Sequence, residues 1–156
     1  MNLKNMNLKN MMRRNDMGKS YLTARARNDV TWPTKMLVSL GLLTGKMIDY
    51  GCGKSIDADV LGMDKYDKYY HNVKISRKYD TIICNYVLNV LEEDEANQVI
   101  NKIKNLLKKK GKAYLSVRRD NFKEGITSKG TYQRKVYLDL PIIYEDKLCC
   151  IYELTK

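Results

Sequence analysis

The chain has 156 residues, 44% of them hydrophobic, and a formal net charge of +11, which suits one globular domain with a buried core. No apolar run approaches the roughly 18 residues of a membrane span, and the polar start lacks a signal-peptide core, so we expect a cytoplasmic protein without membrane contact. Four cysteines without a C-x-x-C pair and a single histidine argue against a zinc site and, in a chain without a secretion signal, against a disulfide framework.

The first 20 residues are predicted to form a flexible basic leader, and residues 21–156 a single domain. Residues 1–35 carry eight cationic side chains and two acidic ones, a surplus of six positive charges. A basic surplus commonly reports a polyanionic partner, so we expect a nucleic acid or a nucleotide-linked substrate. The same charge could also serve solubility alone.

A helix and then a strand are predicted at the start of the domain. Pro33 suits the first turn of a helix that continues through Leu43 and stops at Gly45. The apolar run at residues 46–50 predicts the first strand, and it breaks directly into a glycine-containing turn.

Two further strands and a long helix follow. Residues 60–63 predict a short second strand that ends at Asp64. Residues 79–85 are apolar on both faces, which is typical of a central parallel strand. Residues 92–109 predict a helix, because its first turn is acidic, its last turn is basic and its apolar residues form one stripe.

The remaining chain favours strands over helices. Residues 113–117 predict another strand, and residues 132–138 and 142–154 predict antiparallel strands, the latter split by a turn at residues 145–147. Alternating strands and helices followed by a hairpin indicate an α/β fold with a mainly parallel sheet and an antiparallel C-terminal hairpin.

The glycine turn after the first strand is the main candidate site. Gly51 and Gly53 allow the backbone to turn tightly and approach a ligand closely, at the sheet edge where open α/β folds bind ligands. Asp64 is predicted to end the neighbouring strand, where a carboxylate can accept both ribose hydroxyls of an adenosine-containing cofactor.

Three segments resemble motifs of class I, Rossmann-like methyltransferases that use S-adenosylmethionine: MIDYGCGKS, GMDKYD and YDTIICNYVLNVLEE. Over residues 22–135 the strings PTKMLVSLGLLTGKMIDYGCG, CNYVLNVL and GTYQRK are also similar to methyltransferases associated with DNA phosphorothioation systems. The resemblance implies a methyltransferase with S-adenosylmethionine and S-adenosylhomocysteine as ligands. Together with the basic surplus, it favours a nucleic acid or a nucleotide-related substrate as the acceptor, although the acceptor could equally be a small molecule or a protein. It leaves the oligomeric state open.

The resemblance also implies site residues. Cofactor contacts fall on Asp49, Gly51, Cys52, Gly53, Asp64, Lys65 and Asn85, and the candidate catalytic residues are Asn85 and Tyr86. Two features depart from the family pattern: Ser55 replaces the third glycine, and the few residues after Gly53 leave room for a first crossover helix that is short or missing.

Substrate contacts are predicted at basic and aromatic positions: Arg25, Arg27, Arg118, Arg119, Tyr132 and Arg134. These arginines could bind phosphate, or they could be solvated, and strand propensity alone explains Tyr132. Tyr86 could stack on a flat substrate, although a core or rim position is the simpler interpretation. Cys84 as a nucleophile and His71 as a general base are weaker candidates.

Two alternatives to the methyltransferase hypothesis stay open. The chain could bind S-adenosylmethionine without turnover, since the first crossover is short and no known base-positioning motif is present. It could also be an enzyme that degrades S-adenosylmethionine without transferring the methyl group. A dinucleotide oxidoreductase is disfavoured, because the sequence lacks a full G-x-G-x-x-G motif.

Overall fold

The structure is a computed structural model that describes residues 20–156. Its helices are α1 Trp32–Ser39, α2 Asp57–Leu61 and α3 Glu93–Leu106, with 3-10 turns at Ser20–Thr23 and Leu88–Val90. Its strands are β1 Met47–Tyr50, β2 Asp64–Tyr66, β3 Tyr79–Asn85, β4 Leu107–Arg118, β5 Gly125–Ile126, β6 Tyr132–Gln133, β7 Ile142–Glu145 and β8 Cys149–Thr155.

Six of these strands form one sheet in the order β2-β1-β3-β4-β8-β7, and β5 pairs with β6 in a separate ribbon. Strands β1 to β4 are parallel, whereas β8 runs antiparallel between β4 and β7. The strand order reverses at β1 and β3, and this switch point opens a crevice at the carboxyl ends of the strands. The predicted Rossmann-like α/β fold with an antiparallel C-terminal hairpin is confirmed.

The sheet is covered on both faces, because its strands are apolar on both faces. On one face, α3 packs through Ala96 and Ile103 against β3 and β4. On the other face, Leu37 of α1 and Ala58 of α2 pack against a second cluster that includes Ile83. The second face therefore depends on two short helices.

Helices are few for a fold of this kind. The first crossover helix, α2, has five residues, so the prediction of a short first crossover is confirmed. Residues 67–78 connect β2 to β3 without a helix, and residues 119–141 connect β4 to β7 through the β5–β6 ribbon. Within residues 20–156, no helix is long and apolar enough to cross a bilayer.

Two predicted elements near glycines are misplaced. The strand predicted at residues 60–63 is wrong: this stretch contains the end of α2, which Gly62 terminates in a left-handed conformation (φ 67°), and β2 begins only at Asp64. The first helix ends at Ser39 and not near Leu43, since Gly41 also has a positive φ of 68°.

The strand predicted at residues 132–138 is also mostly wrong. Only Tyr132 and Gln133 form a strand, because the backbone N–H of Arg134 donates to Asn89 O in the turn after β3. The chain there is held by side-chain and loop contacts and not by a sheet ladder. The predicted flexible leader, residues 1–20, lies almost entirely outside the described residues.

Candidate functional site

A cavity of about 470 Å³ opens at the carboxyl ends of β1, β2 and β3. Five parts of the described chain contribute to its walls: the glycine turn at residues 51–55, the loop at 66–72, the end of β3 with the segment at 86–91, the first three turns of α3 and the segment at 20–31. Its volume lies in the range of about 300–1,000 Å³ that is usual for small-molecule and cofactor sites.

The glycine turn packs tightly against the end of β2 and the segment after β3. Gly51 and Gly53 have positive φ angles of 79° and 52°. The backbone N–H groups of Gly51 and Cys52 both donate to Tyr66 O, at 2.7 and 3.0 Å. A Cβ atom at Gly51 would lie 2.5 Å from Val87 Cγ2, so both the φ angle and the space require glycine there.

Asp67, the residue that follows β2, joins the two loops of the site. Its Oδ2 accepts the N–H of Gly53 at 2.8 Å, and its Oδ1 accepts those of Tyr69 and Tyr70 at 2.9 and 3.1 Å. A carboxylate offers about four acceptor positions, and these bonds use three of them. Asp67 also lines the cavity and retains capacity for a ligand hydroxyl.

The strand-end position predicted for Asp64 is wrong. Asp64 begins β2, accepts the hydroxyl of Tyr79 at 2.7 Å and does not line the cavity. Lys65 also lies outside the cavity and forms an ion pair with Asp59 at 2.8 Å. The strand starts later because α2 and its glycine cap precede it. The pattern DADVLG, an acidic helix start followed by a glycine cap, indicates this helix in the sequence and points to Asp67 as the acidic residue after β2.

Asp49 is the buried acid of the site. Asp49 lines the cavity beside the glycine turn, and its relative exposure is only 2%. Burial, reinforced by the nearby carboxylates of Asp57 and Asp67, raises the pKa of Asp49 to about 8. A buried carboxyl with a raised pKa favours a positively charged partner in the cavity, because such a partner stabilises its ionised form.

Asn85 lines the cavity, but its amide is held by a buried polar network. Its Nδ2 donates to Thr34 Oγ1 at 2.8 Å, and its Oδ1 accepts the hydroxyl of Ser116 at 2.8 Å. Asp57 lies at the centre of the network and accepts the hydroxyls of Thr31 and Thr34, both at 2.6 Å. The network fixes the end of β3, so these contacts give Asn85 a positioning role.

Tyr86 is the one non-glycine residue with a positive φ, 59°, among residues 20–156. This conformation is costly for a bulky side chain and is often found at functional sites. Its N–H donates to Ser116 O at 3.0 Å, and its side chain is half-buried in the cavity wall. Burial raises the pKa of Tyr86, so its phenol stays protonated at neutral pH.

The first three turns of α3 form a wall of the cavity that no sequence motif marks. Glu95, Gln98, Val99 and Lys102 all line the cavity. Their spacing of three and four residues, which places side chains on one helix face, was the available signal. One oxygen of Glu95, Oε2, is buried and has no hydrogen-bond partner among the described residues.

The predicted substrate contacts divide into two groups. Arg25 and Arg27 line the cavity, as their predicted role requires. Arg118, Arg119, Tyr132 and Arg134 do not line it. The structure therefore brings only the first two arginines to the candidate site.

The other arginines have internal partners. Arg118 forms two hydrogen bonds to Asp120, at 2.8 and 2.5 Å. Arg119 donates to Val136 O at 2.8 Å, and the Nε atom of Arg134 donates to Leu91 O at 2.6 Å. These contacts hold residues 119–141 on the sheet, so their prediction as phosphate ligands is not supported by their placement.

The structure does not support a catalytic role for Cys84, Cys52 or His71. Cys84 is fully buried, and burial raises its pKa far from that of a nucleophilic thiolate. Cys52 lines the cavity, but burial raises its pKa to about 12. His71 pairs through its backbone with Asp67 and does not line the cavity.

Among residues 20–156, no group of three or more His, Cys, Asp or Glu side chains is arranged to hold a metal ion.

No protein-family model matches the chain, and a search of curated proteins finds none similar to it. Among solved structures, it is similar to magnesium protoporphyrin IX methyltransferase from Synechocystis PCC 6803 with bound SAH, at 17% identity and a TM-score of 0.46, over 93% of this chain and 98% of that one. The glycopeptide N-methyltransferase MtfA complexed with S-adenosyl-L-methionine is similar at 12% identity and a TM-score of 0.46, over 85% of this chain and 82% of that one. PKMT2 from Rickettsia typhi in complex with AdoHcy is similar at 18% identity and 0.35, over 47% of this chain and 21% of that one. All three TM-scores lie below 0.5, so the function of this chain has to follow from its own site.

Proposed function

We propose that the chain is a methyltransferase that binds S-adenosylmethionine in the cavity at the carboxyl ends of β1, β2 and β3. The observation that carries the proposal is the connection from Gly53 to Asp67, which holds the glycine turn and the end of β2 around one cavity. The sequence resemblance of MIDYGCGKS to a methyltransferase motif falls on this turn.

The residues present fit this cofactor. The tight turn at Gly51 leaves backbone exposed to the cavity, and the open acceptor position of Asp67 suits a ribose hydroxyl. The buried Asp49 suits the ammonium group of the methionine part. When bound, S-adenosylmethionine supplies a methyl group that is already activated, so the protein has mainly to bind and orient the reactants.

We assign to Tyr86 and Asn85 a role in orientation and not in proton transfer. Tyr86 stays protonated in the cavity wall, where its ring can stack on a flat acceptor. Asn85 keeps the end of β3 in place through its network. Neither role requires a catalytic base.

We propose a nucleic acid or a nucleotide-related molecule as the acceptor. Among the residues that the structure describes, five cationic and three acidic side chains line the cavity: Arg25, Arg27, Lys54, Lys68 and Lys102 against Asp49, Asp67 and Glu95. An acceptor that carries phosphate would be attracted to this opening. The resemblance to methyltransferases of DNA phosphorothioation systems favours DNA among such acceptors.

Calorimetric titration with S-adenosylhomocysteine tests the cofactor site. We expect Asp67→Asn to weaken binding at least 10-fold, because the amide cannot accept the same set of N–H bonds. Asp64→Asn is the matched control, since Asp64 lies outside the cavity, and we expect a change of less than twofold. If the unmodified, folded protein binds neither S-adenosylmethionine nor S-adenosylhomocysteine, the proposed function is wrong.

A methyl-labelled cofactor tests turnover and separates the three activities. Label that moves to DNA or to another macromolecule supports a methyltransferase. Label that stays on intact S-adenosylmethionine indicates a binding module without turnover. Label in a small breakdown product indicates an enzyme that degrades the cofactor.

A further inference from the structure

Cationic side chains are concentrated at the amino-terminal edge of the sheet, opposite the cavity. They lie where β1, β3 and β4 begin and where α3 and β8 end, and we call them the basic edge: Lys46, Arg77, Lys78, Lys104, Lys108, Lys109, Lys110, Lys112 and Lys156. β3 is seven residues long. At roughly 3.3 Å per residue, the two ends of β3, one at the basic edge and one at the cavity, are therefore about 20 Å apart.

Most of this charge is not neutralised by the protein. Three lysines of the basic edge form ion pairs: Lys46 with Asp64, Lys108 with Asp80 and Lys112 with Glu153, at 3.5, 3.0 and 3.4 Å. The other six cations have no carboxylate partner among residues 20–156. A surplus of this kind at one edge makes a local positive field and not an evenly charged surface.

Two of these lysines are held close together. The ammonium of Lys78 donates to Asn105 O at 3.0 Å, and that of Lys156 donates to Leu107 O at 2.8 Å. Both carbonyls lie at the end of α3. Contact with Lys78 lowers the pKa of Lys156, as expected for like charges in close approach. A bound anion would relieve that repulsion.

We infer that the basic edge is a docking surface for the phosphate backbone of double-stranded nucleic acid. Eight of its nine cations are lysines, which act as point charges and contact phosphates without reading sequence. The tyrosines of this edge, Tyr79 and Tyr114, are buried, so residues 20–156 provide no aromatic platform here for the unpaired bases of a single strand. The inference does not rest on the proposed cofactor, because the two surfaces lie on opposite edges.

Fluorescence anisotropy with a labelled 20-base-pair duplex tests this inference on the full chain. We expect the triple variant Lys104→Gln, Lys109→Gln, Lys110→Gln to bind the duplex at least 10-fold more weakly at 100 mM salt. Since each lost phosphate contact removes about 0.9 from the slope of log K against log salt, that slope should fall by about 2 to 3. Binding of S-adenosylhomocysteine should not change.

The matched control removes the same charge elsewhere, through Lys123→Gln, Lys129→Gln and Lys135→Gln. These lysines are exposed and lie in the segment around the β5–β6 ribbon, and we expect less than threefold weakening. Equal weakening by both variants would mean that net charge alone drives binding, and the docking surface would be rejected. It would also be rejected if the unmodified protein binds a single strand more tightly than the duplex, prefers anionic lipid vesicles or does not bind the duplex.

Discussion

The buried carboxyl of Asp49 has opposite effects on stability and on ligand binding. Its pKa is about 8 in the folded protein and 3.8 in a model peptide, so the folded protein keeps a proton that the unfolded chain releases between these values. Stability therefore falls as the pH rises from about 4 towards 8. An ammonium ligand needs the ionised carboxylate, so the affinity for such a ligand rises over the upper part of the same range.

Asp49→Asn should separate these two effects. We expect the variant to gain at least 1 kcal/mol of stability at pH 8, or about 2–4 °C in Tm, and much less at pH 5. The reason is that the free-energy cost of keeping Asp49 protonated in the folded protein grows as the pH rises. Its affinity for S-adenosylhomocysteine should fall and lose its pH dependence. Thermal melts and calorimetry at both pH values measure this. An equal change in Tm at pH 5 and pH 8 would contradict the assignment of the raised pKa to Asp49.

Glu95 is the second acidic residue whose burial destabilises the folded protein. A buried polar oxygen without a partner costs about 1–3 kcal/mol. We expect Glu95→Gln to leave the free protein as stable or more stable, and to weaken S-adenosylhomocysteine binding several-fold, because the cavity wall loses an acceptor. Glu93→Gln is the control, since Glu93 is exposed in the same helical turn. A loss of stability without a loss of affinity would show that Glu95 is purely structural.

At the scale of secondary structure, Asp57 joins three elements that are far apart in sequence. Its carboxylate lies at the start of α2 and accepts the N–H of Thr31 at 2.9 Å and two threonine hydroxyls from the start of α1. Asn85, at the end of β3, completes the network. This short helix is therefore held by buried hydrogen bonds more than by its own length.

Asp57→Ala should strongly reduce the free energy of unfolding. It leaves several buried donors without an acceptor, which we expect to cost about 3–5 kcal/mol and to lower Tm by more than about 6 °C. Asp59→Ala, two residues later, is exposed and should change Tm by less than about 2 °C. Equal effects of the two substitutions, measured by thermal melting, would remove the network from this role.

The sequence was a good guide to the elements with strong patterns and a poor one beside glycines. β3 is predicted at its observed bounds because its residues are apolar on both faces, and α3 within a few residues because its apolar residues form one stripe. α2 was missed because five residues are too few to show a helical period. Without α2, the sequence assigns the acidic residue at the end of the second strand to Asp64, whereas Asp67 follows β2 in the structure, so one incorrect boundary changes a site residue.

At the scale of the molecule, local pattern predicts the sheet and the glycine turn at its edge but not how distant segments cover them. The contacts of Arg118, Arg119 and Arg134 join residues that are far apart in the chain, and no periodic signal marks them. The arginines therefore resembled free phosphate ligands in the sequence. The glycine turn was found because its chemistry is local.

The position of β8 sets the order in which the sheet is assembled. β8 follows β7 in sequence but lies between β4 and β7, so β7 reaches the sheet only through β8. Asp146 Oδ1 accepts the N–H groups of Leu148 and Cys149 at 2.7 and 2.8 Å, which closes the β7–β8 turn with contacts only two and three residues apart. Local contacts form faster than distant ones, so we expect this hairpin to form early and to dock on β4 as one unit. We then expect the final step of folding to be the docking of a preformed hairpin on the free edge of β4, at a rate limited by closure of the long connection at residues 119–141.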